Sequence, residues 1–145
     1  MIRRDVFERV GLFSEEYFMY AEDVDLCYKV RQLALKNYFI GRATVIHHGG
    51  GSSKRSEVNQ WSTILQRKAV LMFCRKTRGR LYASTFRAAM GAAALCRLAI
   101  LGPILLFGKT AADRIALRPA VAKWTAILRW AIGLEAQGQS PAHPS

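Results

Sequence analysis

Residues 88–108 carry one charged side chain, Arg97, and include the unbroken apolar run Leu98-Ala99-Ile100-Leu101-Gly102-Pro103-Ile104-Leu105-Leu106-Phe107. A stretch of this kind has to leave water, into a core, a membrane interface or a bilayer. Its length suits a span, since ~20 apolar residues cross the hydrocarbon layer. Two residues oppose that outcome. Arg97 would lie near mid-bilayer at ~2.5–3.5 kcal/mol or more, and Pro103 would kink the helix. An interfacial or hairpin-like insertion lets Arg97 reach back to water, so shallow association is the expectation over a span or a buried core helix. The cluster Arg75-Lys76-Thr77-Arg78-Gly79-Arg80 precedes the run. Beyond it, Leu117, Val121, Trp124, Leu128 and Ala131 form a helical stripe, with Pro119 placed in a first turn. Trp130 with Arg118, Lys123 and Arg129 around that stripe suits a headgroup zone, although a surface helix packed on its own domain has the same pattern.

The net charge of +12 is unevenly spread. Residues 1–48 hold seven Lys/Arg against seven Asp/Glu, and residues 49–145 hold fifteen against three. The basic excess therefore accompanies the apolar run, where anionic lipid attracts each cation by ~1 kcal/mol. A nucleic-acid module is disfavoured, because the charge adjoins aliphatic stretches and no groove-reading motif. Cys27, Cys74 and Cys96 lie far apart without metal-ligand or disulfide spacing, which fits a reducing compartment. The amino terminus lacks the apolar run of a signal peptide.

The other dense stretch is acidic. Glu22, Asp23 and Asp25 stand together in Tyr20-Ala21-Glu22-Asp23-Val24-Asp25-Leu26-Cys27. The aromatic run Tyr17-Phe18-Met19-Tyr20 reads as a buried strand, and Val24, Cys27, Val30 and Leu33 recur at helical spacing. The acids would open that helix, where its dipole favours their ionised forms by ~0.3–1 kcal/mol each. Ordinary capping gives the same pattern. Ahead of it, Asp5 to Gly11 reads as a short helix capped by Asp5 and stopped by Gly11. Behind it, Asn37 is a stop, Tyr38-Phe39-Ile40 and Thr44-Val45-Ile46 read as strand pieces, and His47-His48-Gly49-Gly50-Gly51-Ser52-Ser53 reads as a ligand-wrapping loop. Residues 57–76 then read as a long amphipathic helix with Val58, Trp61, Leu65, Met72 and Phe73 on one side.

Three blocks in order carry a family likeness: Arg3-Arg4-x-x-Phe7-x-x-Val10-Gly11-x-Phe13-x-Glu15, then Phe18-x-Tyr20-x-Glu22-Asp23-x-Asp25-Leu26-Cys27, then Ala43-x-Val45-Ile46-His47-His48-Gly49-Gly50-x-Ser52. Together they resemble the acceptor-side half of a family 2 glycosyltransferase of the rhamnosyltransferase-like branch. The family usually has Gly where Ala34 stands, Pro at Gly41 and Arg at Lys29, which are positions of local geometry. The resemblance implies an α/β fold, a fragment of a GT-A type domain, followed by a mainly helical, basic, membrane-associating region. It implies that Asp23 is the general base toward an acceptor hydroxyl, a role that needs an ionised group within hydrogen-bond reach. Glu22 or Asp25 would orient that base or contact the acceptor. His47 would help hold a divalent ion, manganese or magnesium, on the nucleotide diphosphate. His48, Gly49, Gly50 and Ser52 would form the substrate loop.

The expected organisation is therefore residues 1–56 as the acceptor-side part, 57–134 as basic helices at a membrane and 135–145 as a disordered tail. No Asp-x-Asp precedes Asp23, and Met1 to Phe18 leaves no room for a nucleotide-binding half, so tight sugar-nucleotide binding by the chain alone is not expected. The implied partners are a nucleotide-sugar donor, a lipid-linked or cell-envelope glycan acceptor and anionic lipid at the cytoplasmic face of a bacterial inner membrane. The alternative is a non-catalytic basic membrane adaptor.

Overall fold

The computed structural model describes residues 1–46, 56–107 and 111–134, with side chains at 56–60 and 111–114 left aside. Four helices follow in order, α1 (Arg4–Arg9), α2 (Glu22–Gln32), α3 (Ser56–Phe107) and α4 (Ala111–Ala131). They fall into two compact units, Met1–Gly79 and Arg80–Ser145. The boundary lies inside α3 at Gly79, whose φ of 86° and ψ of 176° leave the helical region. Glycine alone adopts such a pair cheaply. Residues 57–79, grouped by composition with the basic region, thus pack with the acidic motif.

In the first unit, α1 stops where Gly11 (φ 76°) turns left-handed, and the Gly11 and Leu12 amides donate to the Glu8 and Phe7 carbonyls. Asp5 does not cap it. Its carboxylate lies inside the first turn and takes two bonds from Arg3, at 3.0 and 2.8 Å. Phe7 meets Phe13 edge-on at 5.3 Å. The core is small: Tyr17, Ala21 and Ala69 are buried together, with Tyr20, Met72 and Phe73 against them.

Among the described residues there is no β-strand. Residues 17–20, expected as a strand, are irregular, with bends from 18 to 21, and Tyr20 and Ala21 are both left-handed at φ 69° and 65°. Two such residues reverse the chain and cannot join a pleated ladder. Residues 38–40 and 44–46 are irregular on either side of a turn closed by the Ala43 amide on the Ile40 carbonyl. Strand character needs a bonded neighbour, and the apolar side chains of Tyr38, Phe39, Ile40, Val45 and Ile46 are exposed. The segment His47, His48, Gly49, Gly50 and Ser52 lies outside the described residues, as does the tail from 135.

α2 ends near Leu33, short of the expected stop at Asn37, whose side chain instead donates to the Cys27 carbonyl at 3.0 Å. The chain leaves α2 through Ala34 at φ 58°, exposed to solvent. A left-handed Ala carries a Cβ clash of ~1–2 kcal/mol that glycine avoids. Ala34→Gly is therefore expected to raise the unfolding free energy by about 0.5–1 kcal/mol despite its greater unfolded-state entropy. An unchanged or lower urea midpoint would refute that strain.

The second unit is a helical hairpin of residues 80–107 and α4. Arg87 bonds the Trp130 and Ala131 carbonyls at 2.8 and 3.0 Å, while Arg97 lies 5.5 Å from the Trp124 ring centre, so the helices run antiparallel. A Cβ on Gly91 would come 3.2 Å from the Ala131 methyl, which explains the small residue there. Ala83, Ala94, Ile127 and Trp130 are buried. Trp130, read from sequence as lying outside the stripe, is covered because Arg87 stacks on its ring at 5.7 Å and bonds its carbonyl. Pro119 lies well inside α4, not in a first turn, since the helix begins at Ala111. Inside the helix Pro119 removes one backbone donor and crowds the Ile115 carbonyl, at a cost of ~3 kcal/mol. Among the described residues, Trp61–Phe107 is long and apolar enough to cross a membrane, by length and composition.

Candidate functional site

The acidic motif sits at the first turn of α2, and its three carboxylates have separate environments. Ala21, the residue before the helix, offers no side-chain cap and is itself left-handed. Asp23 supplies part of what is missing, accepting from the Val24 amide at 2.8 Å through Oδ1, while its side chain stays exposed. Glu22 is half-buried, and its Oε2 is covered without meeting a donor among the described residues. Asp25 has 0% exposure.

Asp25 is the anchor. The Ser14 hydroxyl donates to its Oδ2 at 2.5 Å, the Lys76 ammonium lies 2.9 Å from Oδ1, and Lys29 Nζ lies 3.8 Å from Oδ2. Lys76 also bonds Glu16 at 2.7 Å, and Lys29 donates to the Leu12 carbonyl at 2.6 Å. Burial by itself pushes the Asp25 carboxyl up, but the Ser14 bond and the charges of Lys76 and Lys29 outweigh it and hold the group below the usual carboxylate range. Burial likewise opposes the charge on Lys76, and Glu16 and Asp25 reverse the balance, raising its affinity for the proton. Tyr17, buried beside them with Lys76 5.6 Å from its ring centre, has its phenol pushed up to about 12, first by burial and then by the charge of Asp25. It stays protonated at neutral pH.

The arrangement ties three segments at one point: the loop of residues 12–17, the first turn of α2 and the end of the first half of α3. Lys76 is the member that sequence reading missed as a site residue. It lies far from Asp25 in the chain, in a basic cluster that reads as helix-end charge, and only folding brings the two together. The strain of Tyr20 and Ala21, of order 1–3 kcal/mol each, sits beside this knot. Left-handed non-glycine residues persist where surrounding contacts over-determine them, and here Ala21 is locked into the core under Ala69. The result is a fixed corner that presents Asp23 to solvent, with Glu22 next to it.

Of the sequence-expected residues, Glu22, Asp23 and Asp25 come together, but only the first two can meet a ligand. Asp25 is enclosed. His47, His48, Gly49, Gly50 and Ser52 lie outside the described residues. Among the described residues no group of three His, Cys, Asp or Glu gathers to hold a metal ion. Asp25, bonded to cations, does not fit that role.

Comparison with known proteins gives partial matches. The chain is 40% identical over 55 residues to N-acetylglucosaminyl-diphospho-decaprenol L-rhamnosyltransferase of Mycobacterium tuberculosis, covering 38% of this chain and 18% of that protein. It is 39% identical over 46 residues to the low-salt glycan biosynthesis hexosyltransferase Agl10 of Haloferax volcanii, covering 32% of this chain and 14% of that protein. The chain thus contains a glycosyltransferase-like region and spans less than a fifth of the length of these relatives. No family model matches, and no solved structure matches.

Proposed function

We propose that this chain supplies the acceptor side of an inverting family 2, GT-A type glycosyltransferase that moves a sugar from a nucleotide-sugar donor to a lipid-linked glycan at the cytoplasmic face of a bacterial inner membrane. The observation that carries the reading is the corner at residues 20–23, where an exposed carboxylate stands on a helix start that the buried, ion-paired Asp25 ties to the core, in a chain with a transferase-like region. Asp23 is the base. Its carboxylate takes the proton of an acceptor hydroxyl as the hydroxyl oxygen attacks the anomeric carbon, and the bond to the nucleotide diphosphate breaks on the opposite side. Glu22, half-buried next to Asp23, receives a second acceptor hydroxyl on its carboxylate. Asp25 orients and does not touch the substrate. Both relatives' names speak of sugar transfer, and one names a diphospho-decaprenol acceptor, which supports a polyprenyl-diphosphate sugar as the acceptor class here.

A divalent ion, manganese or magnesium, would neutralise the leaving diphosphate. The described residues build no site for it, and His47, outside them, is the candidate ligand.

The test titrates the full chain in lipid nanodiscs with polyprenyl-diphosphate N-acetylglucosamine, and separately with uridine and thymidine diphosphate sugars plus manganese. Micromolar binding of the lipid-linked sugar, with no tight binding of the nucleotide sugars, is expected. Micromolar nucleotide-sugar binding without acceptor binding would reverse the assignment of sides.

A further inference from the structure

The second unit has two unlike surfaces. Residues 81–107 turn Ala83, Ala94 and the half-buried Leu98, Leu101 and Leu105 toward α4, and turn Leu95, Ile100, Ile104, Leu106 and Phe107 outward, 46–81% exposed. Two cations occur in this stretch, and both make contacts with α4: Arg87 is half-buried, and Arg97, though exposed, reaches a ring of α4. Arg87 is drawn to the carbonyls at the end of α4 and onto the Trp130 ring, and Arg97 is drawn over Trp124. The outer face from 81 to 107 is thereby left without a charge over about 40 Å of helix. α4 differs: Arg118, Lys123 and Arg129 are all exposed. A two-helix unit of this size cannot leave so long an apolar surface in water without a partner.

We infer that the hairpin lies in the plane of a bilayer containing anionic lipid, with the outer face of residues 81–107 sunk among the acyl chains and the cations of α4 at the phosphates. A perpendicular hairpin would carry Arg118, Lys123 and Arg129 through hydrocarbon along with α4, at ~2.5–3.5 kcal/mol for each one near the centre. Lying flat removes that cost and uses the same charges, each worth ~1 kcal/mol near an anionic surface. The Arg97–Trp124 contact lessens the obstacle that Arg97 presents in the sequence, because it draws the exposed guanidinium toward α4 and the headgroup side. Charge complementarity and an uncharged face therefore point to the same occupant. This deepens the membrane side of the proposal above and rests on that part alone; acceptor binding can fail while docking holds, and the reverse.

Cys96, exposed on the outer helix, is a native probe. The full chain carrying Cys27→Ser and Cys74→Ser is labelled at Cys96 with an environment-sensitive fluorophore and mixed with vesicles containing phosphatidylglycerol or phosphatidylcholine alone. Single cysteines replacing Leu81 and Ile104, each with Cys96→Ser, report depth through spin-labelled lipids. The expected result is a blue shift at position 96 with anionic vesicles, at least tenfold weaker binding to neutral ones, and equal shallow depths at 81, 96 and 104. The double variant Ile100→Glu, Ile104→Glu, with helix content checked by circular dichroism, should bind at least tenfold more weakly. Depths that increase steadily from 81 to 104 would overturn the flat placement in favour of a span. A stable dimer that protects Cys96 in solution and ignores vesicles would overturn it in favour of a second copy on that face.

Discussion

Asp25→Ala should cost the first unit about 3–5 kcal/mol, the usual consequence of removing one member of a buried ion pair. The loss has identifiable parts. Lys76 and Lys29 would face each other across the space the carboxylate leaves, the Ser14 hydroxyl would lose its acceptor, and Tyr17 would lose its polar neighbour. A domain with ~5–15 kcal/mol in total loses most of its margin on such a change. Urea unfolding followed by circular dichroism, with Lys76→Ala as companion, reads the effect. The companion should lose less, because the Lys76 side chain is 35% exposed and Lys29 remains to face the carboxylate. The pH dependence adds a second check. Since the folded Asp25 carboxyl titrates below its ordinary value of ~3.9, its stabilisation is complete above that value and disappears as pH falls through the lowered folded value. Wild-type stability should therefore decline more steeply below pH ~4 than that of Asp25→Asn. Parallel acid limbs in the two proteins would mean that the carboxylate is not held by these cations.

The contrast between Asp25 and Lys76 shows what a linear reading reaches. The α2 helix was legible because its acids at the start and Lys29 and Arg31 at the end agree with the dipole and because its apolar residues repeat at helical spacing. Gly11 as a stop was legible for a similar local reason, its left-handed turn. The irregular path of residues 17–20 was not, since an aromatic tetrapeptide has the same local signature in a strand and in a corner, and Ala69, far down the chain, decides between them. Nor did Arg97 announce its stack on Trp124. The sequence supplies the cost of a charge in an apolar run, but only the antiparallel register supplies its partner.

Asp23→Asn should leave folding almost untouched while abolishing sugar transfer once a donor-binding half is supplied, and this separation is the sharpest consequence of the site's geometry. The side chain is exposed, and its observed bond is an acceptor contact with the neighbouring Val24 amide, which an asparagine oxygen can reproduce. Its unfolding free energy should stay within ~0.5 kcal/mol of wild type, as for most exposed substitutions. Proton abstraction is different. An amide oxygen is far too weak a base to relieve the acceptor hydroxyl of its proton, so in an enzyme that joins this chain to a donor-binding half kcat toward polyprenyl-diphosphate N-acetylglucosamine should fall by ~10²–10⁴ with acceptor affinity retained. Glu22→Gln keeps Asp23 and should act mainly on acceptor affinity. If Asp23→Asn retained wild-type turnover, or lost it only together with folding, the exposed carboxylate would be a helix cap and the base would have to be sought elsewhere.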